Sequence, residues 1–446
     1  MSASWFAAAL LPDGWAERVR ITIAGERIAS IERGCAARAG DEIHGIALPG
    51  LPNLHSHSFQ RLMAGMAEAA PAAGQDDFWG WRALMYRLVE RLSPDEVAAV
   101  AAMAFAEMLE RGFTRVGEFH YLHHQPSGVP YADPGEMAAA IAEAADESGI
   151  ALTLLPVFYA HGGFGGAPTN GGQRRFVNSI DGFASLVEAS RVAVATLSDA
   201  IVGVAPHSLR AVAPGELAPV IEIAAGGPVH IHVAEQVREV EDCVAWSGAK
   251  PVRWLLDHAE VDARWCLVHA THVDEAEVAG IVASKAVVGL CPVTEANLGD
   301  GIFPASAFAR AGGRYGLGTD SNVAIDAAEE MRLLEYGQRL VARRRTVMAT
   351  GGRSTGRSLF DAALAGGGQA LGVAPRTLAV GQLADIVSLS ADPAATGDQW
   401  LDRWIFAGGS VDSVWRAGRK LVSGGRHVWR EAIERTFAKV AARAFT

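Results

Sequence analysis

Eight short apolar runs, most of them separated by stretches of helical spacing, constrain this chain more than any other feature. They are IALPGLPNLH (46–55), FTRVGEFH (113–120), ALTLLPVF (151–158), IVGVAPH (201–207), PVHIHVAE (228–235), RWCLVHA (264–270), AVVGLCP (286–292) and RYGLGTD (314–320). Helix signals fall between them. Ser93-Pro94-Asp95-Glu96 offers a serine cap, proline at the first helical position and glutamate three residues after the cap, and Gly112 supplies a stop. Asp133-Pro134-Gly135-Glu136 repeats that logic, with an end near Gly149. Eight strand–helix units imply an α/β chain folded as a (β/α)8, TIM-like barrel, with an open doubly wound sheet as the alternative.

The chain has 446 residues, enough for a barrel of typical size and a smaller companion. The ends supply that companion. VRITIAGERIASIERG near the N-terminus reads as two alternating runs about Ala24-Gly25-Glu26, a hairpin signal. TLAVGQLADIVSLSAD and VDSVWRAGRKLVSGG read the same way near the C-terminus. The expected organisation is a small β-sandwich domain from 1–46 and 377–425, a catalytic barrel over 47–376, and a C-terminal helix over 426–446.

The chemistry-bearing residues collect at the C-terminal ends of the runs, the face where such barrels build their sites. The first ends in His55-Ser56-His57, the fourth in His207, the sixth in His269 and the eighth in Asp320, and the fifth carries His230, His232 and Glu235. Residues i and i+2 of a strand point to one side, so His55 and His57 can reach one ion together. His232 and Asp320 complete a shell of three nitrogens and one oxygen, which suits zinc before iron, manganese or nickel. Water in the open position would be acidified toward hydroxide, with Asp320 as its proton acceptor. His230 lies one layer deeper and reads as structural. His272 falls past a strand end, and His120, His123 and His124 read as a solvated loop.

Net charge and cysteines exclude other classes. A formal charge of −11 argues against nucleic acid and anionic membrane surfaces as partners. Cys35, Cys243, Cys266 and Cys291 form no C-x-x-C pair and read as free thiols of a reducing compartment. The N-terminal MSASWFAAALLPDGWAERV lacks a basic leader and a long apolar run, so a cytoplasmic location is expected.

LPGLPNLHSH, VHIHVAE, LVHATHVD and GLGTDSN, in that order, resemble the amidohydrolase superfamily, and LAVGQLADIVSL is similar to its C-terminal strand segment. The resemblance implies a metal-dependent hydrolase, with a homodimer as its common state. The fourth run ends GVAPHSLRAV, without the lysine of two-metal members, and so resembles the one-metal deaminase branch. That branch implies Glu235 as acid/base and His269 as the contact to the metal-bound water. SHSFQRLMAGMAE, FHYLHHQ, HSLRAV and CPVTEANLGDG resemble the deiminases that hydrolyse a formimino group in histidine degradation. Matching positions imply that Gln60, Arg82, Tyr121, His207 and Arg210 hold a small dicarboxylate with an amidine-like head. Arginine forks suit carboxylates on physical grounds as well.

Two other readings stand beside this one. The same machinery could act on a ring amine of the guanine, adenosine or triazine type, with Trp79, Trp81, Phe119 and Tyr121 stacking on the ring. A scaffold that kept the fold and lost the activity is the other. The glycine-rich segment 161–176 lacks a phosphate-loop lysine and reads as a lid or a plain connection.

Overall fold

The computed structural model describes residues 2–69, 78–392 and 394–444. Its barrel strands are Leu51–Ser56, Phe113–His120, Ala151–Phe158, the pair of short pieces Ile201–Val202 and Ala205–Pro206, then Val229–Val233, Trp265–His269, Val287–Leu290 and Arg314–Leu317. All neighbouring pairs are parallel. Single bridges close the ring: Val204 to Val229 and Ser208 to His232 join strands four and five, and Ser56 to Asp320 joins eight to one. The chain is therefore a closed (β/α)8 barrel and not an open sheet.

The helices start where their caps are written. Ser93 Oγ accepts from the Glu96 N–H and Glu96 Oε2 accepts from the Ser93 N–H, a reciprocal cap on Pro94–Glu110. The helix of the next unit, Glu136–Ser148, differs from expectation. Its cap position is Gly135, and Asp133 instead accepts the Gly135 N–H at 2.8 Å, leaving Pro134 in the preceding turn. It ends on Gly149 at φ +77°, a left-handed position that glycine adopts without strain.

Both chain ends build one eight-stranded sheet. Its order runs Arg426–His427, Arg419–Ser423, Val411–Arg416, Ile386–Leu389, Glu42–Pro49, Ser2–Leu11, Gly14–Ala24, Arg27–Glu32. The seam between the ends is antiparallel, with Val387 opposite Leu48. Phe6, Val19, Ile21, Ile386 and Trp415 fill one face of this small β-sandwich domain. The segment between its C-terminal strands also holds a helix, Gln399–Phe406, and the last helix is Arg430–Ala444.

A small plug of Leu54, Cys266, Val268, Val287, Cys291, Ala370 and Leu371 fills the barrel axis below the site. All four cysteines are free and three are buried. Among the described residues no helix is long and apolar enough to cross a membrane.

Candidate metal centre and active site

The segment Gly318–Asn322 is pinned onto strand one, which sets the candidate metal ligands against each other. The N–H groups of Thr319 and Asp320 donate to His55 O at 3.1 and 2.9 Å, and the His57 N–H donates to Asp320 O at 2.9 Å. Asn322 Nδ2 donates to Ser56 Oγ, His57 O and Asp320 O, each at 3.1 Å. Asp320 and Asn322 hold φ of +46° and +56° within this network. Left-handed backbone at non-glycine residues costs free energy and gathers at sites where the surroundings impose it.

His55, His57, His232 and Asp320 converge in the buried mouth. Asp320 Oδ1 lies 3.3 Å from His55 Nε2 and 3.2 Å from His57 Nε2, and His55 Nε2 lies 3.0 Å from His232 Nε2. The rings are oriented from behind. His57 Nδ1–H donates to Phe119 O at 2.9 Å and His232 Nδ1–H to His207 O at 3.1 Å. Each therefore turns a bare Nε2 to the centre, the tautomer a metal needs. Burial drives the His55 pKa down to about 3, against the opposing pull of Asp320. Burial opposes charge on Asp320 also, but His55 and His57 hold its carboxyl well below the ordinary range. Neutral His55 and His232 beside an ionised Asp320 are the protonation states a divalent cation binds. The donor set fits such an ion.

Glu235 and His269 stand on the other side of the centre. Strand five ends in a turn with Ala234 at φ +54°, where the buried Glu239 accepts the N–H groups of Ala234 and Glu235 at 3.2 and 3.1 Å. This aims Glu235 into the mouth. His269 Nε2 lies 3.8 Å from Glu235 Oε1 and 3.9 Å from Asp320 Oδ2. Burial disfavours the imidazolium, yet Glu235, Glu295 and Asp320 together push the His269 pKa up to about 10. Burial raises the Glu235 carboxyl, with His269 and Arg210 opposing.

One cavity joins these groups to Gln60, Arg82, Tyr121, His207 and Arg210. Gln60 Nε2 donates to the Tyr121 hydroxyl at 2.9 Å. Arg82 sits on helix Phe78–Val89, its guanidinium 4.1 Å from the Trp79 ring centre, and Arg238 lies 4.8 Å from the same ring. Nε and Nη1 of Arg210 are buried without a hydrogen-bond partner among the described residues. Every site residue expected from sequence thus lies around one cavity or in the ligand cluster beside it.

Several expectations need correction. His120, His123 and His124 are buried, not solvated. His123 and His124 direct Nε2 to the carbonyls of Val157 and Val177, both at 2.9 Å, and their own N–H groups donate to Arg175 O. Phe119 is fully buried 4.4 Å from the His232 ring, beneath the metal ligands, and Trp79 is engaged by Arg82. Of the four aromatics considered for ring stacking, Trp81 and Tyr121 line the cavity. The loop 161–176 carries Gly162 to the cavity wall, stacks Phe164 on Trp246 and sets His161 Nε2 2.9 Å from Glu216 Oε2. Sequence reading missed Glu295, Tyr86, Tyr159 and Phe176. Glu295 lies in CPVTEANLGDG, one turn into helix Pro292–Leu298, at the same barrel face as the others.

Comparison with known proteins agrees with this geometry. Residues 46–421 match the amidohydrolase family profile, and residues 1–45 match "Formimidoylglutamate deiminase HutF, N-terminal domain". The chain is 50% identical over 99% of both lengths to a formimidoylglutamate deiminase of Pseudomonas aeruginosa. It superposes on a crystal structure of an amidohydrolase from Brucella melitensis with TM-score 0.97 and 53% identity, covering all of both chains. An adenosine deaminase from Xanthomonas campestris shares the fold at TM-score 0.81 and 23% identity, over 99% of this chain and 98% of its own. A profile that spans the whole barrel, over a chain that gathers three histidines and an aspartate at its strand ends, places the chain in the amidohydrolase family.

Proposed function

We propose that the chain hydrolyses N-formimino-L-glutamate to N-formyl-L-glutamate and ammonia, a step of histidine degradation, with zinc as the resident ion. His55, His57, His232 and Asp320 would hold it, since three nitrogens and one oxygen suit zinc best among common divalent ions. The ion, when bound, supplies the Lewis acidity that makes a water reactive at neutral pH. The full-length likeness to the Pseudomonas deiminase supports the substrate. The observation that carries it is Arg210, whose buried Nε and Nη1, unpaired among the described residues, face a deficit that only an anion fills well.

The chain's residues divide the work. Arg210 and Arg82 grip the two carboxylates, while His207 and the Tyr121 hydroxyl donate to them and Gln60 fixes the tyrosine. The amidine head then points at Glu235. With a cation's charge offsetting the carboxylates that hold His269 protonated, His269 and Asp320 would take a proton from the attacking water, and Glu235 hydrogen-bonds the amidine nitrogen and delivers protons to it. The water oxygen remains as the formyl oxygen, the carbon–nitrogen bond breaks, and both water protons leave on ammonia. A homodimer in the cytoplasm belongs to the same proposal, and light scattering reads the assembly.

Ammonia release from N-formimino-L-glutamate by the zinc-loaded chain, with N-formylglutamate identified as co-product, is the test. Turnover of that substrate is expected. A chain that ignores it and releases ammonia from a ring amine would overturn the assignment.

A further inference from the structure

Helix Pro292–Leu298 follows strand seven, which supplies none of the residues assigned above to the ion or to proton transfer, yet it touches the neighbourhood of each proton-handling group. Thr294 Oγ1 lies 2.9 Å from Ser321 Oγ and donates to Thr319 O at 3.2 Å, flanking Asp320 on both sides. Past the helix end, the buried Asp300 accepts from Gln236, the residue after Glu235. Between them Glu295 Oε1 lies 3.3 Å from His269 Nδ1.

That last contact fixes a tautomer. Glu295 Oε1 already accepts the Cys291 N–H at 2.9 Å, so it is an acceptor oxygen held in place by backbone. Glu295 is 6% exposed and His269 1%, so water does not compete for the pair. A bare Nδ1 lone pair against that oxygen would be repulsive in a buried site, whereas Nδ1–H donates to it. With Nδ1 keeping its hydrogen for Glu295, the nitrogen turned toward Glu235 and Asp320 is Nε2, the one that gains and gives up the exchangeable proton. His269 itself sits at φ +67° and Ala270 at φ +48°, so strand six leaves its own line here and the side chain needs an outside support. Glu295 provides one on the side away from the cavity.

We propose that Glu295 is a positioning residue for His269: it accepts Nδ1–H and thereby presents Nε2 to the reacting water. The assignment deepens the deiminase reading above and rests on His269 acting in that reaction.

Two variants and one spectrum test it. Glu295→Met keeps the length and removes the acceptor, and Glu295→Gln keeps an acceptor oxygen for both Nδ1–H and the Cys291 N–H. Glu295→Met is expected to lower kcat by about a hundredfold, with KM within about twofold and full metal content. Glu295→Gln is expected to regain at least about tenfold of that loss. A Met variant with parental kcat, a defect confined to KM, activity loss that merely follows metal loss, or a folded Gln variant no better than Met would each overturn the role. If the Met variant does not fold, Glu295→Gln decides: kcat within about tenfold of the parent supports the role, and a larger loss at full metal content refutes it. The tautomer is read without substrate from the 15N spectrum of chain labelled in its histidine rings, with His269 assigned by difference from His269→Asn. Read on the neutral ring, at a pH above the loss of the imidazolium proton, a protonated Nδ1 and bare Nε2 are expected, and the reverse pattern would overturn the proposal. Should the unaltered chain fail to release ammonia from N-formimino-L-glutamate, the substrate reading falls while this spectrum still decides the placement of Glu295.

Discussion

The Nε2 atoms of His55 and His232 face each other at 3.0 Å from strands on opposite sides of the barrel mouth. His232 already donates through Nδ1 to His207 O, so its Nε2 presents a lone pair. Two nitrogens so close are held comfortably only by a proton or a cation between them. Binding of the ion therefore stabilises the fold. At about 100 times its Kd, an ion adds about 2.7 kcal/mol, which raises the melting midpoint by a few degrees. Calorimetry of the chelator-stripped chain, titrated with zinc, reads this. His232→Ala is expected to lose the response, and an unchanged response would remove His232 from the ligand set.

Glu235 touches no metal ligand side chain at hydrogen-bond distance, so its loss separates chemistry from metal binding. Glu235→Gln keeps size and loses the exchangeable proton. Turnover is expected to fall by about a thousandfold, within the range of general acid–base catalysis, with the metal content of the parent. Plasma emission spectrometry beside the ammonia assay checks both halves. Normal turnover in the metal-replete variant would refute the role.

The two arginines differ in how much each has to lose. Arg210 holds two buried donors without partners among the described residues, whereas Arg82 is half-buried and stacked on Trp79. Arg210→Met should lower kcat/KM by about a hundredfold to a thousandfold, mostly through KM, the scale of a lost charge-assisted pair. Trp79→Leu should cost only about three- to tenfold, the scale of one cation–π contact. Steady-state kinetics on N-formimino-L-glutamate ranks them, and a larger effect from Trp79 than from Arg210 would reverse the argument.

The cluster of candidate metal ligands was legible because its signal is local. His55 and His57 share a strand face by simple alternation, and His232 and Asp320 fall at the ends of apolar runs. What was illegible depends on contacts from far along the chain. His120, His123 and His124 look like a polar loop until the Arg175 segment, about fifty residues on, covers them. Strand four breaks at Gly203, where a Cβ would meet Pro228 O at 2.5 Å, a clash no neighbouring residue announces. Glu295 escaped notice because strand seven ends in Leu-Cys-Pro, and its carboxylate reaches the site from the helix beyond.

Gly318 tests how tightly strand eight must lie on strand one. A Cβ there would stand 2.8 Å from both Cβ and O of His55. Neither is the far end of a flexible side chain, so Gly318→Ala must push the strands apart at the metal ligands. Metal affinity is expected to fall by about ten- to a hundredfold, the usual effect of disturbing a ligand's support. Gly215→Ala is the control, because nothing lies within 4 Å of its added methyl. Equal zinc affinity in both variants would show that the barrel absorbs the extra atom.

Far below the site, Asp199 joins the barrel to the small domain. Its carboxylate pairs with Arg115 of strand two at 2.7 Å, with Arg376 of the connecting segment at 3.2 Å, and with Arg416 of the small-domain sheet. Burial works against its charge, but Arg115, Arg416 and Arg376 outweigh that and hold its carboxyl below the ordinary value of 3.8. A depressed folded pKa means stability that is complete above the unfolded value and disappears as pH falls through the folded one. Asp199→Asn leaves Arg115 buried beside a neutral partner and should cost about 2–4 kcal/mol at neutral pH. The difference in urea midpoint between parent and variant should stay level from about pH 8 to 5 and shrink only below about pH 4. A difference that persisted unchanged into acid would mean that the amide lost packing rather than charge, and that the arginines do not depend on Asp199 for their pairing.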